Sequence, residues 1–189
     1  MKYILASSSP RRKKLMQEIA SDFLIDVSDV DESADKGLPP VDLVETLAYK
    51  KGEVVHQRHY DDLVISADTV VVINNKVIGK PTDKEDAKRI LRTLSGKEHY
   101  VYTGCAFFYK NIHHVFNVKT SVFFNELSDE LIDKYVKSGS PLDKAGGYGI
   151  QDNESFPIVN RIEGDYYNVV GFPVPEIKKQ LESFLELIK

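Results

Sequence analysis

The longest run of β-forming residues in the chain is Leu63-Val64-Ile65-Ser66-Ala67-Asp68-Thr69-Val70-Val71-Val72-Ile73. Its branched apolar side chains predict a strand, and Asn74-Asn75 predicts a tight turn into a second strand at Val77-Ile78. Asp68 is unusual inside this run, because an unpaired carboxylate in an apolar strand is costly. Asp68 therefore needs a metal ion, a lysine partner or a catalytic role, unless it lies near a strand end and accepts backbone hydrogen bonds.

Predicted strands and helices alternate on both sides of this run. Ser9-Pro10 begins a first helix, Thr82 with Glu85 forms a capping box, and Ser128 caps a further helix. The remaining predicted elements are a strand at 3–6, a helix over 43–55, strands at 100–109 and 115–124, a hairpin of 158–162 with 166–170, and a last helix over 177–188. We therefore predict the α/β class, with one mixed central sheet flanked by helices in a single domain, 1–189.

Composition restricts the class of protein. The chain has 189 residues, 42% of them hydrophobic, and a single cysteine, Cys105, so no internal disulfide is possible. No apolar run approaches the roughly 20 residues that span a bilayer. The formal charge is 25 basic minus 29 acidic residues, or −4, whereas a dedicated nucleic-acid binder is usually basic. We expect a cytoplasmic protein that does not associate with a membrane and has no stable nucleic-acid partner.

A basic block follows the predicted start of the first helix. Arg11-Arg12-Lys13-Lys14 is expected to place up to four cations in the first turn, where the helix dipole already carries partial positive charge. This arrangement favours a bound anion, with hydroxyl donors from the preceding Ser7, Ser8 and Ser9. The alternative is a solvated basic face with a good N-cap.

Three further residues are weaker candidates when each is taken singly. Glu32 lies in an acidic stretch that is ordinarily solvated, Lys51 lies on a helix, and Lys80 follows a predicted strand in Gly79-Lys80-Pro81. The chain has no phosphate-binding loop of the G-x-x-x-x-G-K-[ST] type, no dinucleotide fingerprint and no zinc-site spacing. Cations together with carboxylates suit metal-assisted phosphoryl chemistry.

Taken in order, these residues resemble the Maf family of nucleoside triphosphate pyrophosphatases from near the first residue to the last helix. The motifs that carry the resemblance are Leu5-Ala6-Ser7-Ser8-Ser9-Pro10-Arg11-Arg12, Asp31-Glu32, Lys51, Ser66-Ala67-Asp68-Thr69, Gly79-Lys80-Pro81, Leu94-Ser95-Gly96, Leu142-Asp143-Lys144-Ala145-Gly146-Gly147-Tyr148-Gly149-Ile150-Gln151 and Gly164-Asp165-Tyr166-Tyr167.

The resemblance implies a Maf/ITPase-like fold with two lobes around a cleft, often in a homodimer. It implies hydrolysis of a nucleoside triphosphate to the monophosphate and pyrophosphate with a divalent metal, Mg or Mn. Asp68 would activate the attacking water, and Glu32 would help Asp68 to hold the metal. The residues that would surround the triphosphate are Ser7, Ser9, Arg11, Arg12, Lys51 and Lys80.

The resemblance also implies that Thr69 and Gln151 bind the substrate, and together with Arg11 they match the branch of the family that acts on dTTP and UTP. The branch that prefers 7-methyl-GTP typically has Trp and Gln at the positions of Arg11 and Thr69 and lacks Gly-Ile-Gln. Gln151 suits a pyrimidine, because its amide can both donate to and accept from a uracil or thymine edge. The alternatives are a Maf-type enzyme with another nucleotide preference, and a non-catalytic interaction protein in cell-division or septum arrest.

Overall fold

The computed structural model describes residues 1–30 and 37–189. Within these residues seven strands form one sheet in the order β2-β1-β3-β5-β6-β7, and β4 pairs with β3 outside this path. Strand β1 is parallel to β2 and β3, whereas β4 is antiparallel to β3 and β7 is antiparallel to β6. The strands are β1 Tyr3–Leu5, β2 Leu24–Ile25, β3 Leu63–Ile73, β4 Lys76–Ile78, β5 Glu98–Tyr109, β6 Ile112–Phe124 and β7 Val159–Glu163.

Helices flank this sheet, so the predicted α/β class with a mixed sheet is confirmed. They are α1 Pro10–Met16, α2 Pro40–His56, α3 Lys84–Leu94, α4 Asp129–Lys137, α5 Tyr166–Val170 and α6 Val174–Leu187. Short 3₁₀ turns over Ser140–Asp143, Ala145–Gly147 and Ile150–Asp152 follow α4. In the part of the chain that the structure describes, no helix is long and apolar enough to cross a membrane.

The chain divides into two compact units. The first unit comprises Met1–Thr69, Thr103–Val118 and Gly171–Lys189, and the second unit comprises Val70–Tyr102 and Lys119–Val170. The second unit has its own apolar core, in which Leu91 and Leu94 of α3 and Tyr135 of α4 are fully buried.

The first unit has apolar layers on both faces of β3, because successive side chains of a strand point to opposite faces. Leu63, Ile65 and Ala67 pack with Met16 of α1 and with residues of α6. Val64 packs instead with Ala48 and Val55 of α2. In the part of β3 that belongs to the first unit, odd-numbered positions therefore face α1 and α6, and even-numbered positions face α2.

Two predictions of local structure are wrong. The segment Tyr166–Val170 is the short helix α5 and not the return strand of a hairpin, and β7 pairs with β6 instead. The N-cap of α3 is Asp83, whose carboxylate accepts from the Asp86 N–H at 2.8 Å, so the capping box predicted from Thr82 and Glu85 does not form. Both acidic side chains lie at the positive end of the helix, where they stabilise it.

Candidate functional site on strand β3

Asp68 has the lysine partner that its position in an apolar strand required. The Lys51 ammonium donates to Asp68 Oδ1 at 2.5 Å, and the two side chains are 20% and 13% exposed. Asp68 is the sixth of eleven residues in β3, so it lies in the strand interior and not at an end. Its even-numbered position faces α2, which carries Lys51. Of the explanations left open by the sequence, the structure shows the lysine partner.

Two glycines allow α2 to approach the sheet closely enough for this contact. A Cβ at Gly52, the residue after Lys51, would lie 2.5 Å from Ser66 Oγ and would also overlap the Phe108 ring. A Cβ at Gly104 of β5 would overlap the Val44 carbonyl of α2. The Ser66 hydroxyl donates to the Ala48 carbonyl of α2 at 2.6 Å, so a polar contact adds to the close packing.

The opposite face of β3 carries a second polar group, centred on Arg12 of α1. Its guanidinium donates to the Ala67 carbonyl at 2.7 Å, the Gly171 carbonyl at 2.8 Å and Thr69 Oγ1 at 3.0 Å. A longer bond of 3.3 Å reaches Ser7 Oγ. The structure therefore brings Ser7, Arg12 and Thr69 together, as a group separate from the Lys51–Asp68 pair.

Helix α1 is shorter than its basic block suggested. Ser9 caps it as predicted, with its hydroxyl accepting from the Arg12 N–H at 3.5 Å, and Pro10 is the first helical residue. The helix has seven residues, so Lys13 and Lys14 lie in its last turn, where cations are favourable. The prediction of four cations in the first turn is wrong for these two, because the helix ends at Met16.

In the second unit, Lys80 and Gln151 are both exposed. The Gly146 N–H donates to the Gly79 carbonyl at 3.0 Å, which ties the glycine-rich segment before Gln151 to the residue before Lys80. Gly146 has a φ of 71°, and a Cβ there would lie 2.7 Å from Val71, so this position needs glycine.

Two buried tyrosines hold the segment that carries Gln151. Tyr135 OH donates to Asp152 Oδ2 at 2.7 Å and accepts from the Gly149 N–H at 2.9 Å. Tyr148 OH lies 2.8 Å from Nε2 of the fully buried His99. Burial lowers the pKa of His99 to about 4, so this imidazole is neutral at physiological pH.

Of the two predicted metal ligands, Asp68 and Glu32, the structure describes Asp68. Glu32 lies outside the described residues. Asp68 Oδ2 accepts no hydrogen bond from a described residue, so the carboxylate retains a hard oxygen of the kind that Mg²⁺ and Mn²⁺ bind. Within residues 1–30 and 37–189, no group of three or more His, Cys, Asp or Glu side chains is arranged to hold a metal ion.

Cys105 is a core residue. It is fully buried in the first unit, and burial raises the pKa of its thiol to about 12. A thiolate nucleophile is therefore excluded at this position.

Sequence reasoning missed Gly52, Gly104, Thr103 and Gly171. The first two carried a signal, since glycine inside a helix or a strand is unfavourable unless another backbone or side chain approaches closely. Thr103 and Gly171 carried none, because their contacts with Thr69 depend on segments far apart in the chain.

Comparisons with known proteins give matches in sequence and in fold. Two proteins named dTTP/UTP pyrophosphatase, from Bacillus anthracis and Bacillus cereus, are each 45% identical over 183 residues, which are 97% of this chain and 95% of each relative. The structure of the Staphylococcus aureus Ham1 protein has the same fold, with a TM-score of 0.55, 14% identity and full coverage of both chains. A HAM1 protein from Coxiella burnetii gives a TM-score of 0.54 at 14% identity, with 97% of this chain and 99% of that chain covered.

A family model described as "Maf-like protein" matches residues 2–184. This match spans β1 to α6, and with them the Lys51–Asp68 pair and the Arg12 group. The chain therefore belongs to the Maf family.

Proposed function

We propose that this chain hydrolyses nucleoside triphosphates to the monophosphate and pyrophosphate, with dTTP and UTP as preferred substrates. The observation that carries the proposal is the salt bridge between Lys51 of α2 and Asp68 in the interior of strand β3, a position where an apolar residue is often at least as stable. Family membership and the names of the Bacillus relatives support it.

In the proposed reaction Asp68 is the general base. Its carboxylate accepts a proton from a water molecule, and the water oxygen attacks the α-phosphorus. The bond from the α-phosphorus to the bridging oxygen breaks, and pyrophosphate leaves with the electron pair. A positioned base of this kind contributes roughly 10²–10⁴-fold to the rate.

Cations are required because negative charge accumulates on the leaving pyrophosphate. We assign triphosphate binding to Arg11, Lys51 and Lys80, with hydroxyl contacts from Ser7 and Ser9. The roles of Arg11 and Lys80 rest on the family resemblance, and that of Lys51 rests also on its contact with Asp68.

A divalent cation, Mg²⁺ or Mn²⁺, is proposed to bind Asp68 together with Glu32. Carboxylate oxygens suit these hard cations, and Asp68 Oδ2 is the described oxygen that fits the role. When bound, the cation would offset phosphate charge and make the α-phosphorus a better electrophile.

Base recognition is assigned to Gln151. Its amide can donate to one carbonyl and accept from the N3–H of uracil or thymine. The hydrogen bond from Tyr135 to Asp152 and that from Gly146 to Gly79 hold the chain after and before Gln151 and would limit the entropy lost on binding.

The test is a nucleotide panel assayed with Mg²⁺ and with Mn²⁺, in which pyrophosphate and orthophosphate are measured separately. We expect pyrophosphate from dTTP and UTP, and loss of release when the metal is chelated. Hydrolysis in ¹⁸O-labelled water should place the label in the nucleoside monophosphate. Label in pyrophosphate would mean attack at the β-phosphorus, and equal or faster turnover of purine triphosphates would contradict the pyrimidine preference.

Several expectations stay predictions. We propose that residues 1–189 act as one Maf-like domain, that the protein works in the cytoplasm as a homodimer, and that it forms no stable complex with nucleic acid. Light scattering would test the homodimer, and an electrophoretic shift assay with single-stranded DNA would test for a complex with nucleic acid.

A further inference from the structure

Most of the N–H donors of the Arg12 guanidinium form hydrogen bonds with other groups of the protein. A guanidinium has five N–H donors, and four of them are directed at Gly171 O, Ala67 O, Ser7 Oγ and Thr69 Oγ1. One planar group thus joins three separate stretches of the chain: the loop before α1, strand β3 and the residue before Phe172-Pro173.

The acceptors on β3 lie immediately before and after Asp68. Ala67 offers its carbonyl and Thr69 its hydroxyl, at 2.7 and 3.0 Å from the guanidinium. Thr69 faces α1 and α6, whereas the Asp68 carboxylate faces α2 and pairs with Lys51. Arg12 therefore holds the residues on both sides of Asp68, Ala67 by its backbone carbonyl and Thr69 by its hydroxyl, from the face opposite to the Asp68 carboxylate.

The Thr69 hydroxyl is similarly committed. Besides accepting from Arg12, it lies 2.9 Å from Thr103 Oγ1 and 3.5 Å from the Gly171 carbonyl. Thr103 is fully buried. Gly171 has a φ of 107°, and a Cβ there would lie 3.3 Å from Thr69 Oγ1, so glycine lets this segment close over the hydroxyl.

We infer that Arg12 and Thr69 form a positioning pair: Arg12 orients the strand segment that carries Asp68, and Thr69 fixes the Arg12 guanidinium. The inference rests on the proposed function and revises the sequence expectation that both side chains contact the nucleotide. Thr69, one of the residues that mark the pyrimidine branch, then acts on the reaction through Arg12 and Asp68 and not through the base.

The first experiment separates position from charge at Arg12. Arg12→Lys keeps a positive charge but replaces the planar fork by a point donor that cannot span four acceptors. We expect Arg12→Lys and Arg12→Met to lower kcat alike, by roughly 10²-fold, as small displacements of reacting groups do. Affinity for a UTP analogue with NH between the α and β phosphorus, measured by calorimetry with Mg²⁺, should change little in either variant.

Lys14→Met is the matched control, because it removes a cation from the exposed face of the same helix. We expect it to leave kcat and affinity near the wild-type values. A near-normal kcat in Arg12→Lys, together with weak analogue binding in Arg12→Met, would overturn the inference and make Arg12 a phosphate ligand.

The second experiment tests whether Thr69 works through Arg12. Thr69→Val replaces the hydroxyl by a methyl group in a side chain of the same shape, and Thr69→Ser keeps the hydroxyl. We expect Thr69→Val to lower kcat in the wild-type background and to have little further effect in the Arg12→Met background, with Thr69→Ser close to wild type. An unchanged effect of Thr69→Val in both backgrounds, or an effect confined to nucleotide selectivity, would overturn the inference.

Thermal unfolding of the wild type, Arg12→Met, Thr69→Val and the double variant tests the pair without any substrate. We expect the loss of Tm in the double variant to be clearly smaller than the sum of the two single losses, because they break one shared interaction. If the wild type released no pyrophosphate, the proposed function would be wrong, but the Tm measurement would still test whether Arg12 and Thr69 are coupled. Additive losses of Tm would overturn the pair whatever the activity.

Discussion

Lys51 and Asp68 place opposite charges 2.5 Å apart in the first unit, each side chain mostly shielded from water. Sequence alone identified Asp68 because a carboxylate conflicts with an apolar strand, and that conflict is local. Its partner could not be chosen in the same way, because Lys51 looks like any lysine on a helix until α2 is placed against β3. The roles of Arg12 and Thr69 were equally hidden, since their partners come from segments far apart in the chain.

Asp68→Asn tests the base directly. The amide keeps the shape of the side chain but cannot accept the proton, so turnover should fall by roughly 10²–10⁴-fold. The free energy of unfolding should fall by about 1–2 kcal/mol, because a charge-assisted hydrogen bond to Lys51 becomes a neutral one. Pyrophosphate release and urea unfolding on one preparation measure both effects.

Asp61→Asn is the matched control for this variant, because Asp61 is exposed in the turn before β3. It should leave turnover and stability unchanged. A folded Asp68→Asn protein that still hydrolyses dTTP at the wild-type rate would remove Asp68 from the mechanism and make Glu32 the next candidate base.

Helix and strand boundaries follow mainly from local chemistry, and so the sequence predicted most of them. Ser9 and Ser128 cap helices as expected, and Asn74-Asn75 turns with positive φ at both residues. The error at Tyr166–Val170 has a non-local cause. Its apolar pattern suits a strand, but β7 already pairs with β6, and the buried Asn168 amide donates to the Val101 carbonyl at 3.1 Å from within a helix.

At the level of elements, Gly52→Ala tests the close packing of α2 on β3. Helix propensity alone would favour alanine by about 1 kcal/mol. The added Cβ would lie 2.5 Å from Ser66 Oγ, and overpacking of this kind costs about 1–3 kcal/mol. We expect packing to win, with a lower Tm and slower pyrophosphate release, because Lys51 moves with the helix.

Gly37→Ala provides the comparison, since a Cβ there meets no atom within 4 Å. It should leave activity and Tm close to wild type. A Gly52→Ala protein that is more stable than wild type and fully active would show that α2 does not need its close approach.

At the level of the whole molecule, the first unit is assembled from three separate stretches of chain, which no local pattern could predict. An ionic network fastens the exposed strand β2 to the connection between α2 and β3. Arg58 donates to both oxygens of Asp26 at 2.8 Å, and a ring nitrogen of His59 lies 3.0 Å from the same carboxylate. Such a network links a short edge strand to the rest of its unit, and its strength depends on pH.

This network should contribute to the acid stability of the protein. The hydrogen bonds from Arg58 lower the pKa of Asp26 to about 2 in the folded state, below its ordinary value of 3.8. Because the folded pKa is the lower one, the contribution is complete above about pH 5 and is lost as the pH falls through about 2. Urea midpoints of wild type and Arg58→Ala should therefore differ at pH 5 and converge by pH 2.

The difference at pH 5 should be small, since Arg58 is largely exposed and salt screens it. Lys178→Ala, which removes an exposed cation from α6, is the control and should give no difference in urea midpoint that changes with pH. If the difference between wild type and Arg58→Ala stayed constant down to pH 2, Arg58 would stabilise the protein by packing and not through the Asp26 carboxylate.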